Sequence, residues 1–188
     1  IAVPTATAVS TAECSATRER ILDVAEALFA QHGLAGTAVR DIAKAANLTP
    51  ASLYNHFESK RALYDSVIER GVRPLLAVLE GLPSREHTAE NIDDTINAIM
   101  DHLGKRPHLP RLIHHETISG GESLVSLSRG WIRPLIVQAT RHVDRDAGDY
   151  WSEDERPLLI TAWMHIVFGH FAMAPLLGEI FGEDPLSP

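Results

Sequence analysis

Apolar residues along the chain recur at helical spacing, and no convincing run alternates as a strand would. In TRERILDVAEALFAQHG, Ile21, Ala25, Leu28, Phe29 and His32 share one face, while Glu19, Asp23 and Glu26 lie elsewhere. Gly33, able to take a positive φ, is the expected stop. Thr37 offers an N-cap for TAVRDIAKAA, whose narrow stripe is Val39, Ile42, Ala43 and Ala46. Arg40, Asp41 and Lys44 point away from that stripe. Asn47, the non-glycine residue most at ease in the left-handed region, ends the helix. Thr49-Pro50 opens a third helix, because proline pushes the residue before it out of the α region and suits the first helical position. Ser59 caps a fourth, KRALYDSVIERGVRPLLAVLEGL, with a bend expected near Gly71 and Pro74. Further helices are predicted at 88–104, 109–119, 122–146 and 153–177, separated by turns at 104–110, at Gly120-Gly121 and at 146–149. The expected class is all-α.

The third helix is short and unusually furnished. On a helical wheel Pro50, Leu53, Tyr54 and Phe57 occupy one arc; Ala51, Ser52, Asn55 and His56 occupy the other. Leu53 and Phe57 suit an anchor against the first two helices, leaving the polar arc outward. A DNA major groove admits one helix and presents donors and acceptors that Ser, Asn and His can match. Free N–H groups near Thr37 and Thr49 can meet phosphates, and Lys60 adds a cation at the flank. Two helices joined by a tight turn, the second with a polar outer face, make a helix-turn-helix unit. Tyr54 is also readable as a half-buried ring with a wet hydroxyl.

The segment RERILDVAEALFAQHGLAGTAVRDIAKAANLTPASLYNHFESKRALYDSVIE resembles the N-terminal domain of the TetR family of bacterial transcriptional regulators. The likeness rests on the opening A-x-x-LF-x-x-xG, the GTAVRDIAKAA helix and the LYNHF-x-x-K core. It implies a cytoplasmic homodimer whose two recognition helices enter successive major grooves of double-stranded operator DNA, a repressor released by a small-molecule effector. By position Thr37, Tyr54, His56 and Lys60 are the implied phosphate contacts; Arg40, Pro50, Ala51, Ser52 and Asn55 face DNA, beside the helix start at Thr49. The implied layout is a flexible arm at 1–15, the DNA-binding domain at 16–62, and an effector-binding and dimerisation domain at 63–188. Asn47 departs from the family's usual turn glycine.

Charge qualifies this picture. The net charge is −8; residues 1–70 hold 7 Lys+Arg against 8 Asp+Glu, and the remainder 10 against 17. The N-terminal third is less acidic than the rest without being basic, so polyanion binding must come from where its cations stand.

Beyond residue 75 the residues speak for themselves. The last two long segments are apolar on more than one stripe, which suits helices packed on two sides, one a partner subunit. Trp131, Leu135, His142, Leu159, Trp163, Ile166, Val167 and His170 are the interface candidates, core packing being the alternative. Ile96, Met100, Leu103, Leu112, His115, Glu116 and Trp131 are candidates to line an effector pocket. Ten histidines invite a metal, yet no pair has the HExxH arrangement, so neither a metal nor another cofactor is expected. No nucleophile elbow or phosphate loop supports a helical enzyme built on the His/Glu cluster. An interaction protein retaining the helix-turn-helix as scaffold is a third reading. The single Cys14 excludes an intramolecular disulfide and fits a reducing compartment. The opening residues make no convincing signal peptide, and no apolar run approaches the roughly 20 residues that cross a bilayer.

Overall fold

The computed structural model describes residues 6–80, 89–127, 129, 133, 152 and 155–182. Among them the regular elements are helices: α1 (Ala6–Gly36), α2 (Val39–Ala45), α3 (Pro50–Tyr54), α4 (Lys60–Glu80), α5 (Ala89–Gly104), α6 (His108–Ile118), α7 (Glu122–Leu127) and α8 (Arg156–Phe181). They fall into two compact units, Ile1–Val67 and Ile68–Pro188, divided within α4. The division lies one turn beyond residue 62 because the start of α4 serves the first unit. Leu63, Tyr64 and Val67 are buried there, and Tyr64 meets Phe29 edge to face at 5.0 Å between centroids.

In the first unit α1 starts at Ala6, so the expectation of a loose arm through residue 15 is corrected. Residues 6–15 hold no Gly or Pro and three alanines, and extending an existing helix escapes the cost of nucleation. Gly33 interrupts α1 at φ 67°, after which the chain turns once more to Gly36. Thr37 is not the cap of α2. That place belongs to Ala38, in extended conformation and without a side-chain bond. Thr37 is turned inward instead, its hydroxyl within donating reach of the carbonyls of Gly33 at 2.7 Å and Leu28 at 3.2 Å. Asn47 takes φ 61°, the left-handed turn its amide tolerates. Ser59 caps α4 by accepting from the Ala62 N–H at 3.0 Å.

In the second unit α4 is a single helix through Gly71 and Pro74. Gly71 is there for packing: a Cβ on it would collide with the Leu109 side chain of α6. His102 of α5 reaches the Gly71 carbonyl at 2.9 Å. Gly120 and Gly121 both have positive φ at the turn into α7. Past residue 127 the helix expected to 146 lies, apart from residues 129 and 133, outside the described residues. Helix α8 buries Val167, Phe171 and Ala174, and exposes Leu158, Ile166, Met173, Leu176 and Ile180. Within it Met164–Phe181 has mean hydropathy 1.3 and is only 17% buried, long and apolar enough by length and composition to cross a membrane. That property is an average over the segment: His165, Gly169, His170, Pro175, Gly178 and Glu179 interrupt it, so it holds no unbroken apolar run of that length.

Candidate nucleic-acid interface

Helix α3 is built locally. Thr49 sits in extended conformation at φ −85°, ψ 154°, and its Oγ1 accepts from the Ser52 N–H at 3.1 Å, with Pro50 at the first helical position. The hydroxyls of Thr49 and Ser52 are also bonded at 3.0 Å. Leu53 is fully buried and Phe57 nearly so, giving the short helix its keel. Thr49, Pro50, Ala51, Tyr54 and Asn55 are exposed, while Ser52 and His56 are half-buried. Tyr54 shares an arc with Leu53 on the wheel, yet its ring is 48% exposed. Arg40 projects from α2 with an 83% exposed side chain, 3.6 Å from Asp41.

Two of the residues that the resemblance assigns to phosphate face the protein. Thr37 is only 3% exposed. The Lys60 ammonium donates to the Leu34 carbonyl at 2.7 Å and the Thr37 carbonyl at 3.0 Å. Helices end with carbonyls that lack partners, and a cation near them is favourable. Thr37 and Lys60 together close the end of α1 and tie it to the start of α4.

Residues on α1 that the sequence reading passed over lie beside α3. The Arg18 guanidinium stands over the Phe57 ring, 4.9 Å from its centroid. Cys14, one turn earlier, places Sγ 3.9 Å from His56 Nδ1. These contacts span about 40 positions in sequence, and no local pattern announces them. The one available hint is the i, i+4 spacing of Cys14 and Arg18, which puts both on one face of α1.

The other candidates have unlike settings. Leu103 and Leu112 are fully buried core residues, and Ile96 and Met100 are half-buried. His115 is exposed. Glu116 is buried with Oε1 accepting from the Ser123 N–H at 2.6 Å, a cap on α7. Ile166 is exposed, whereas Val167 faces the unit's own core, and the half-buried His170 lies edge-on to Phe171 at 5.3 Å. Leu159 and Trp163 belong to α8 with side chains outside the described residues; Trp131, Leu135 and His142 lie outside them altogether. Among the described residues no three His, Cys, Asp or Glu side chains gather as a metal site.

A short helix anchored by Leu53 and Phe57, set by a left-handed turn behind α2 and presenting Ala51, Tyr54 and Asn55 outward, is a helix-turn-helix unit. Residues 21–67 match the family model for bacterial regulatory proteins of the tetR family. That match covers the N-terminal helix-turn-helix unit, a quarter of the chain. The chain is 41% identical over 125 residues to the HTH-type transcriptional repressor KstR2 of Rhodococcus jostii, an alignment covering 65% of this chain and 53% of that relative. It is 45% identical over 56 residues to the probable acrEF/envCD operon repressor of Escherichia coli, covering 30% of this chain and 26% of that one. The chain thus spans about half or less of these relatives' lengths. Its fold is similar to the putative transcriptional regulator SCO4942 of Streptomyces coelicolor, at TM-score 0.61 and 26% identity, covering 86% of this chain and 85% of that one. It is also similar to a TetR family transcription regulator of Marinobacter aquaeolei, at TM-score 0.65 and 22% identity, covering 90% and 88%.

Proposed function

We propose that this chain is a sequence-specific, dimeric DNA-binding regulator of the cytoplasm, a repressor released from its operator when a small molecule binds residues 68–188. The observation that carries the DNA reading is the outer face of α3. Its apolar side is committed to the core while Ala51, Tyr54 and Asn55 stand free. In this reading Ser52 and Asn55 read base edges with Arg40 approaching from α2, Pro50 and Ala51 allow close approach, and Tyr54 and His56 meet phosphates with the helix start at Thr49. Thr37 and Lys60 act as positioning residues, since their polar atoms are engaged by α1 and its following turn.

Dimerisation is supported by α8. Among the described residues, Leu158, Ile166, Met173, Leu176 and Ile180 form an exposed apolar face opposite to Val167, Phe171 and Ala174, and large exposed apolar patches mark interaction surfaces. Release by an effector requires that it bind the DNA-incompetent form better, with a coupling of about 1–3 kcal/mol. The test is selection of duplexes from a random-sequence pool by the purified protein, followed by gel-shift titration. A palindromic consensus with half-sites about one helical turn apart is expected. Failure to enrich any sequence overturns the proposal.

A further inference from the structure

A polyanion must be met by positive charge, and the surroundings of α3 hold little that is uncommitted. Helix α3 itself, PASLY, carries none. Lys60 is engaged with the Leu34 and Thr37 carbonyls, Arg61 is paired with Asp65 at 3.1 Å, and Arg40 lies beside Asp41. Lys44 is exposed on α2, and helix α1 supplies a further cation, one held against the segment of α3 by a ring. Arg18 is exposed, no ion pair holds it among the described residues, and its guanidinium lies over the ring of Phe57, two positions after Asn55. Cys14 beside His56 places a second turn of α1 along the same segment.

We propose that Arg18 is a DNA-backbone contact, clamping a phosphate beside the recognition helix. The inference rests on the DNA-binding reading above. Its chemistry follows from the shape of guanidinium. Stacking uses the flat face of the group and leaves its N–H donors free around the edge, in the plane that suits two oxygens of one phosphate. The buried Phe57 ring also holds the long side chain in place before DNA arrives, so less freedom is lost on binding. A lysine would keep the charge and lose both the stacking and the paired donors.

The experiment uses the full chain and a duplex that the unmodified protein has selected from a random pool, with affinity measured across a series of KCl concentrations. Arg18→Gln should lower the magnitude of the salt slope by about one unit per subunit. Arg18→Lys should keep the slope and bind more weakly. An unchanged slope in Arg18→Gln overturns the contact, whether or not affinity falls, because loss without slope change means that Arg18 only positions α3. Phosphate ethylation interference on a second neutral variant, Arg18→Ala, compared with the unmodified protein, gives a separate reading: one phosphate per half-site should lose its effect, and an unaltered pattern refutes the assignment. If the unmodified protein selects no duplex, the DNA-binding reading itself fails, a result distinct from any variant's.

Discussion

Lys60→Ala separates a residue that touches DNA from one that holds the domain in shape. The substitution removes an ammonium that donates to two carbonyls, Leu34 at 2.7 Å and Thr37 at 3.0 Å, and leaves both short of a partner at the end of α1. Hydrogen bonds from a charged donor are worth about 1.5–3 kcal/mol each, but Lys60 is half-exposed, so water replaces part of what is lost. A net destabilisation of about 2 kcal/mol is the reasoned figure. In a chain of this size that corresponds to a fall in Tm of about 4–8 °C. Thermal unfolding followed by circular dichroism measures it. In parallel, affinity for a selected duplex is followed against KCl, where a lost phosphate contact would lower the slope by about one unit per subunit. The internal role predicts a lower Tm, weaker binding and an unchanged slope. An unchanged Tm with a reduced slope would refute the reasoning and return Lys60 to the phosphate.

Asn55→Ala should alter preference at one base pair per half-site, costing about 1–3 kcal/mol there in competition gel shifts; equal loss on every sequence would make Asn55 a backbone contact. Gly71→Ala should destabilise the chain by about 1–3 kcal/mol, since its Cβ collides with Leu109, and adding Leu109→Ala should recover part of that loss in a double-mutant cycle; simple additivity would deny the contact. Ile166→Glu, at a side chain 70% exposed, should leave the subunit folded and shift sedimentation toward monomer, whereas an unchanged sedimentation profile would place the interface elsewhere.

What the sequence declared was whatever local chemistry decides. Thr49-Pro50 sets the start of α3 because proline constrains the residue before it, and Asn47 turns left-handed because its amide tolerates that conformation. Gly33 breaks α1 for the same kind of reason. Thr37 misled because a threonine before a helical pattern resembles a cap, while its hydroxyl is drawn to carbonyls four and nine positions back. The partners of Lys60 are likewise out of local reach: a lysine at a helix start looks like a free charge, and its acceptors stand 23 and 26 residues upstream. At Gly71 the sequence shows only that a bend is permitted, while the close approach that needs a glycine there is to a leucine nearly 40 positions later. Val167 and Ile166 are both interface candidates by sequence because their segment is apolar on more than one stripe, with core packing as the alternative; neighbours on a helix diverge by about 100°, and Val167 is buried while Ile166 is exposed.

The bare face of α8 has a consequence for the life of a newly made chain. Until something covers it, Met164–Phe181 offers any apolar phase a helix with the length and hydropathy of a membrane span. If a sibling subunit covers it, as proposed above, that cover follows mass action, so the fraction of protected chains falls as the protein becomes scarce. A cell making few copies would hold a larger share of them in the form that chaperones, lipid and proteases compete for. In the test tube the same arithmetic predicts losses to vessel walls and air–water surfaces that grow on dilution and are suppressed by mild detergent.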